Sequence, residues 1–273
     1  MTTIRLIAID LDGTLLDTRQ NLSARNRQAV SRVLAMGVHV ALATARDRAS
    51  IRLKVPMAVP GLYYLASGGA IVFDTASGVI LWEQILSPAL THDAVVFLCG
   101  YGHPVFLNRD CTYWVDREDQ RVALIEERYN LSPQPVAEWP EVSVPVHRVS
   151  LAAPRTVLER AAREAAAAFG GRVNVSLASP DWLDILPSGA GKGPSLQWLQ
   201  AHIGRSPEET MAIGDYDSDL PLFATANCRV AMANSVPRVK AEATHETAGN
   251  DEDGVALVLE ALSVSGDGRA PGR

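Results

Sequence analysis

Apolar positions along the chain follow two different periods, and the switch between them divides the sequence. The first run, residues 4–9 (IRLIAI), is short and rich in branched side chains, which predicts a buried strand stopping at Asp10. Residues 23–36 (SARNRQAVSRVLAM) set Val30, Val33 and Leu34 on one helical face, with Ser23 suited to the N-cap and Gly37 to the stop. "VHVALAT" (38–44) and "LYYLAS" (62–67) read as further strands, the first ending at Thr44 and the second running into a Gly-Gly turn. Strand alternating with helix predicts a parallel sheet covered on both faces.

From about residue 85 to 187 the pattern changes. "PVFL", 147–153, 172–176 and 182–186 read as strands, with helices expected at 117–129 and 154–169 and a Pro-rich loop at 133–145. Pro154 suits a first helical position, and Gly170-Gly171 ends that helix. The first pattern then resumes. It gives a helix at 194–203, a strand at 210–215, a helix near 219–226, a strand at 229–233, a short helix near 236–242 and a last helix at 254–264. The predicted fold is therefore a Rossmann-like, doubly wound α/β core in two parts, 1–84 and 188–265. An α+β module is inserted at 85–187, and residues 266–273 form a tail expected to be disordered.

Composition narrows the function classes. The chain has 273 residues, 47% hydrophobic and 21% charged, so it can bury a sizeable core. Its net charge of −6, with Lys and Arg scattered, argues against a nucleic-acid partner. No stretch approaches the roughly 20 apolar residues of a transmembrane helix, and the N-terminal run is too short for a signal peptide. Cys99, Cys111 and Cys228 match no metal or redox spacing. A cytoplasmic protein with no membrane partner is expected; no pattern encodes an oligomeric state. The histidines match no ligand spacing, and His39, inside a strand pattern, is expected to be structural.

The candidate chemistry lies at strand ends. Asp10 ends the first strand, Thr44 the second and Asp215 the strand "TMAIGD"; Asp12 and Asp219 follow closely, and Lys192 precedes a helix. In an open parallel sheet, ligands bind beyond the carboxyl ends of the strands, so these residues would converge on one crevice. Two carboxylates about 4 Å apart repel by roughly 4 kcal/mol at an effective dielectric near 20. Several together need a cation, and hard oxygen ligands suit Mg²⁺. Mg²⁺ and Lys192 offset much of the charge of Asp10, Asp12, Asp215 and Asp219. A bound phosphate would restore repulsion unless one acid carries a proton, and Asp12 is placed for that. Lys192, Thr44 and the backbone N–H groups of 11–14 would grip phosphoryl oxygens.

This core resembles the haloacid dehalogenase superfamily, specifically its Cof-like, class IIB phosphatases. The motifs are "DLDGT" (10–14), Thr44 in "ATAR", Lys192 in "GAGKG" and "GDYDSD" (214–219), supported by "VAMANS" and "DEDGVALVLEAL". The resemblance implies that Asp10 is a nucleophile forming an aspartyl-phosphate and Asp12 a general acid and base. It implies Mg²⁺ on Asp10, Asp215 and the backbone carbonyl of Asp12, supported by Asp219. It places Asn234 near the phosphate and turns Arg46 towards an inserted cap. Thr14, in the loop that bends around the phosphate, and Gly68 complete the substrate-contact candidates. The sequence departs from the family's common residues at Ala45, Gly68 and Ser218, where Gly, Asn and Asn are usual; Gly68 could instead simply supply a turn. The implied substrate is a small phosphorylated metabolite such as a sugar phosphate.

Other readings fit less well. "GAGKG" fails the P-loop pattern at Leu186 and Gly193, and Pro194 breaks a dinucleotide-binding fingerprint. A phospho-accepting receiver module would lack Asp12 and the insertion. A non-catalytic binding module would carry costly uncompensated carboxylates. A phosphomutase would use the same core, whereas dehalogenases lack the acid at Asp12. Substrate choice would fall to the insertion, with "LNRDC" (107–111) and the strand around Asp184 as contributors; Arg109 and Asp110 read more simply as a solvated turn.

Overall fold

The structure is a computed structural model that describes residues 3–117, 120–129, 132–136, 139 and 145–264. The first apolar run becomes β1 (Leu6–Asp10), with all five residues buried. Chain order continues through α1 (Ala24–Ala35), β2 (His39–Ala43), α2 (Arg48–Lys54), β3 (Leu62–Ala66), β4 (Ile71–Asp74) and β5 (Val79–Glu83). The next segment forms α3 (Pro88–Cys99), β6 (Val105–Arg109), β7 (Thr112–Val115), α4 (Gln120–Tyr129), β8 (Gln134–Pro135), β9 (Arg148–Ala152), α5 (Arg155–Phe169), β10 (Val173–Ser179) and β11 (Trp182–Pro187). The last comprises α6 (Lys192–Ile203), β12 (Thr210–Gly214), α7 (Leu220–Phe223), β13 (Cys228–Ala231), α8 (Pro237–Glu242), β14 (His245–Glu246) and α9 (Gly254–Val264).

One sheet has the order β14-β13-β12-β1-β2-β3-β4-β5. It is parallel from β14 to β3, and β4 and β5 add an antiparallel hairpin. Alternate residues of β1 face opposite layers. Ile7 and Ile9 pack with Val30 and Val33 of α1 and Leu259 of α9, while Leu6 and Ala8 pack with Leu196 and Leu199 of α6. Burial on both faces is why this strand reads as a continuous apolar run.

The second sheet has the order β10-β11-β9-β6-β7-β8 and is antiparallel except for β7 with β8. One face carries Leu107, Val149, Leu151, Leu183 and Ile185 onto α3 and α5. The other carries Asn108, Arg148, Ser150 and Asp184, all buried. Polar residues in register on one sheet face, covered from water, mark a wall built for something other than packing.

Several elements differ from the sequence reading. The pattern gave no sign of α2, α3, β7 or the β4–β5 hairpin. The helix expected near 219–226 is a 3₁₀ turn at Asp217–Asp219 followed by the four residues of α7. The Pro-rich loop contains β8. Residues 118 and 119 of one expected helix, 137, 138 and 140–144 of the Pro-rich loop, and the tail from 265 lie outside the described residues. Among the described residues, no helix is long and apolar enough to cross a membrane.

Candidate active site

The site is built from the loop that leaves β1. Leu11 turns back and is fully buried, so Asp10 and Asp12 both line one cavity. Gly13 has φ 85°, and a Cβ there would lie 2.5 Å from Asp215 Oδ2, closer than any side chain tolerates. Thr14 donates its hydroxyl to Asp215 Oδ1 at 2.8 Å and is itself fully buried. Asn234 donates from Nδ2 to the Gly13 carbonyl at 2.8 Å, and its Oδ1 accepts the Asn250 N–H at 3.1 Å. Two residues expected to contact substrate therefore hold the machinery: Thr14 fixes a carboxylate, and Asn234 fixes the loop.

Asp10, Asp215 and Asp219 each bring a carboxylate oxygen within 4.8 Å of the others, the one such group among the described residues. Lys192, the first residue of α6, reaches Asp10 Oδ1 and Asp219 Oδ1, both at 2.6 Å. Asp219 Oδ2 accepts the N–H groups of Asp215 and Tyr216 at 3.0 and 3.1 Å. Burial, then repulsion from Asp219, raises the Asp10 carboxyl well above its ordinary range despite Lys192. Burial and Asp219 likewise push Asp215 up to about 7. Burial opposes the Lys192 ammonium, but Asp10 and Asp219 overcome it and hold the group above its usual range. One lysine does not neutralise three carboxylates, so the donor set fits a hard divalent cation that would favour the ionised acids.

Asp12 stands outside this carboxylate group. Arg46 holds it in a fork, Nε to Oδ2 at 2.8 Å and Nη2 to Oδ1 at 2.7 Å, and Arg46 Nη1 donates to Ser50 Oγ at 2.9 Å. Arg46, expected to face the inserted module, lines the same cavity as Tyr113 and Arg148 of that segment, and its guanidinium orients Asp12. Thr44, at the end of β2, is buried and lines the same cavity; its Oγ1 accepts the Arg46 N–H at 3.1 Å. Gly68 has φ 69°, lies against Leu186 and Asp184, and borders the neighbouring cleft rather than the Asp10 cavity. Its N–H closes the turn onto the Thr44 carbonyl at 3.0 Å, as the simpler reading of this glycine required.

The polar face of the second sheet closes the cavity, whose volume is about 360 Å³. Tyr113 of β7 donates to Asp47 Oδ2 at 3.1 Å and accepts from Arg148 Nη2 at 3.1 Å. Arg148 Nη1 pairs with Asp184 Oδ2 at 3.0 Å, and Asp184 Oδ1 accepts from Ser150 Oγ at 2.6 Å and Trp182 Nε1 at 2.7 Å. Burial opposes the Arg148 charge, but Asp184 and Tyr113 hold the guanidinium above its usual range. A second contact joins Arg155 of α5 to the Tyr216 hydroxyl, with Nη2 3.3 Å from Asp217 Oδ2. A third is the fork between Arg48 and Asp110; Asp110 lies in the partly exposed turn expected of it, and the fork adds a partner there. Tyr113, Arg148 and Asp47 carried no motif. The available signal was period-two polarity: Arg148 with Ser150, and Trp182 with Asp184, share a face within otherwise apolar strands.

The haloacid dehalogenase-like hydrolase family model matches residues 7–259. The HMP-PP phosphatase of Cronobacter sakazakii is 27% identical, covering 88% of both chains. The 5-amino-6-(5-phospho-D-ribitylamino)uracil phosphatase YwtE of Bacillus subtilis is 25% identical, covering 95% of this chain and 98% of its own. A haloacid dehalogenase-like hydrolase from Bacteroides thetaiotaomicron superposes with a TM-score of 0.82 at 26% identity, covering 94% of this chain and 98% of its own. With strand-end acids, a bridging lysine and a family match spanning both parts of the core, the chain belongs to the haloacid dehalogenase-like hydrolases.

Proposed function

We propose that this protein is a Mg²⁺-dependent phosphatase that hydrolyses a small phosphorylated metabolite, such as a sugar phosphate, through an aspartyl-phosphate on Asp10. One observation carries the reading: Asp10 belongs to an acidic cluster that Lys192 bridges, and Asp12, fixed by Arg46, opens onto the same cavity. The named activities of the two curated relatives point the same way.

In this mechanism an Asp10 oxygen attacks phosphorus and the bond to the leaving oxygen breaks. Asp12 gives that oxygen a proton. Water then loses a proton to Asp12 and attacks the aspartyl-phosphate, freeing phosphate and regenerating Asp10. Lys192 and Thr44 hold phosphoryl oxygens as charge develops there. Asp10 and Asp215, with Asp219 beside them, would hold Mg²⁺, which supplies charge neutralisation at the phosphoryl group. The second sheet acts as a cap that excludes bulk water and reads the leaving group. A cavity of about 360 Å³ suits a small leaving group.

The test is multiple turnover of p-nitrophenyl phosphate with Mg²⁺, abolished by EDTA and restored by added Mg²⁺. Asp10→Asn should remove turnover with an unchanged circular dichroism spectrum, and Asp12→Asn should accumulate phosphoenzyme. A single phosphorylation event per chain would favour a receiver; turnover surviving in Asp10→Asn would refute the nucleophile.

A further inference from the structure

Arg148 is the one charged side chain that the described part of the cap turns into the Asp10 cavity. Its cap neighbours there are Tyr113, Ala178, Ser179, Pro180 and Trp182, which are aromatic, small or neutral. Arg148 is only 3% exposed, and its guanidinium is fixed on one side by Asp184 and on the other by Tyr113. Asp184 is in turn locked by Ser150 and Trp182, so the constellation rests on strands β9, β11 and, through Tyr113, β7 rather than on loops. A guanidinium immobilised in this way meets a ligand with little further loss of side-chain freedom.

A purely structural role accounts poorly for this placement. Burying an ion pair costs both partners their hydration, and an apolar pair of similar volume commonly serves a sheet as well or better. The other face of the same strands does use apolar residues, Val149 and Leu151 opposite Leu183 and Ile185. Arg148 spends one Nη1 hydrogen on Asp184 and one Nη2 hydrogen on Tyr113, so each terminal nitrogen of this cavity-lining side chain keeps a second N–H to donate. Asp184 is saturated instead: its two oxygens take donors from Arg148, Ser150 and Trp182.

We propose that Arg148, held by Asp184 and Tyr113, is a specificity residue that binds an oxyanion on the leaving group. The preferred substrates are then phosphomonoesters carrying a second acidic group, a carboxylate or a further phosphate, rather than neutral polyol or sugar phosphates. The inference rests on the phosphatase reading above and specifies its substrate class. Trp182 and Tyr113 form the walls beside the oxyanion site, and a guanidinium donates to planar carboxylate and tetrahedral phosphate oxygens alike. Tyr113 also donates to Asp47 of the core, so Arg148 is set in place when the cap is seated.

Matched substrate pairs test this. With Mg²⁺, the wild-type protein should show a kcat/KM at least about ten-fold higher for 6-phosphogluconate than for glucose 6-phosphate. It should likewise favour 3-phosphoglycerate over glycerol 3-phosphate, mainly through KM. Arg148→Gln should erase both preferences, lowering kcat/KM for the acidic member far more than for its neutral partner. Arg148→Gln leaves Asp184 buried without its counter-ion, so the charge-neutral R148Q/D184N double variant supplies the folded control and should also lack the preference. Arg148→Lys, which keeps the charge but loses the fork, should retain part of it. Turnover of both members of each pair at equal efficiency by the wild-type protein would overturn the inference alone, as would a preference that survives in R148Q/D184N. Failure to turn over any ester, p-nitrophenyl phosphate included, would overturn the phosphatase reading and the inference with it.

Discussion

At Gly13 the backbone runs at φ 85° with the Asp215 carboxylate against it. An alanine there meets two independent costs: roughly 1–2 kcal/mol for a side chain in the left-handed region, and a Cβ inside the contact distance of Asp215. Asp215 must move, and with it goes the Thr14 hydrogen bond that fixes one candidate metal ligand. Gly13→Ala should therefore raise the Mg²⁺ concentration needed for half-maximal activity and lower kcat by about 100-fold or more. Gly37→Ala is the control. Its φ is 79°, but nothing lies within 4 Å of the new Cβ, so it should lower stability by about 1 kcal/mol and leave Mg²⁺ dependence unchanged. Magnesium titrations with thermal melts separate the two outcomes; equal behaviour would sink the argument. Residues of this kind were legible in sequence, because "DLDGT" puts acids, glycine and threonine at the end of an apolar strand. What Thr14, Asn234 and Arg46 touch was not legible. Their partners Asp215, Gly13 and Asp12 lie 201, 221 and 34 positions away, and only the packed sheet brings them together.

Elements show the same division. α1 and β1 carry clean periods and cap signals, so their type and place could be read from the chain. α3 is apolar around most of its surface and gives no stripe, although Ser87 caps it and Pro88 opens it. α2 has seven residues, too few to establish a helical period, and its N-cap Asp47 is recognisable only once the helix is seen. That short helix matters because it ties the second sheet to the first at two points. Asp47 accepts from Tyr113, and Arg48 forms a fork with Asp110 at the turn between β6 and β7. Arg48 and Asp110 are 24% and 27% exposed, so solvent screens them and their contribution to folding is about 0.5–1 kcal/mol. Asp110→Asn should accordingly barely move the melting temperature. It should loosen cap seating and raise KM several-fold with a smaller effect on kcat. Steady-state kinetics beside a thermal melt check this, and an unchanged KM would show that the fork has no part in closure.

At the scale of the whole molecule, the two sheets meet where the chain crosses between them, and His147 sits at that junction. It is fully buried, one residue before β9, and its Nδ1 accepts the Asp110 N–H at 2.7 Å. Nε2 therefore carries the hydrogen and faces Glu83 Oε1, at the end of β5, at 2.8 Å. Beside it the Leu86 N–H donates to the Val146 carbonyl at 2.8 Å, pinning the outgoing and returning chain together. Arg109 Nη2 lies 3.7 Å from Glu83 and adds a cation to the cluster. Protonating His147 would put a second donor against the Asp110 N–H. Burial is the larger effect and lowers its pKa below the ordinary 6.5, outweighing the attraction of Glu83. The unfolded chain then binds a proton near pH 6.5 that the folded chain refuses. This part of the stability is complete above that pH and is lost as pH falls towards the folded value, by at most about 1.4 kcal/mol per pH unit. Glutamine offers one acceptor and one donor at similar reach without titrating. Between pH 8 and 5.5 the wild-type protein should thus lose more unfolding free energy than His147→Gln does, in urea melts at matched ionic strength. Comparing the two curves removes the titration of His39 and of the site carboxylates, which both proteins share. Parallel curves would mean that His147 takes up its proton equally in both states, and that the junction tolerates a charged imidazole against Asp110.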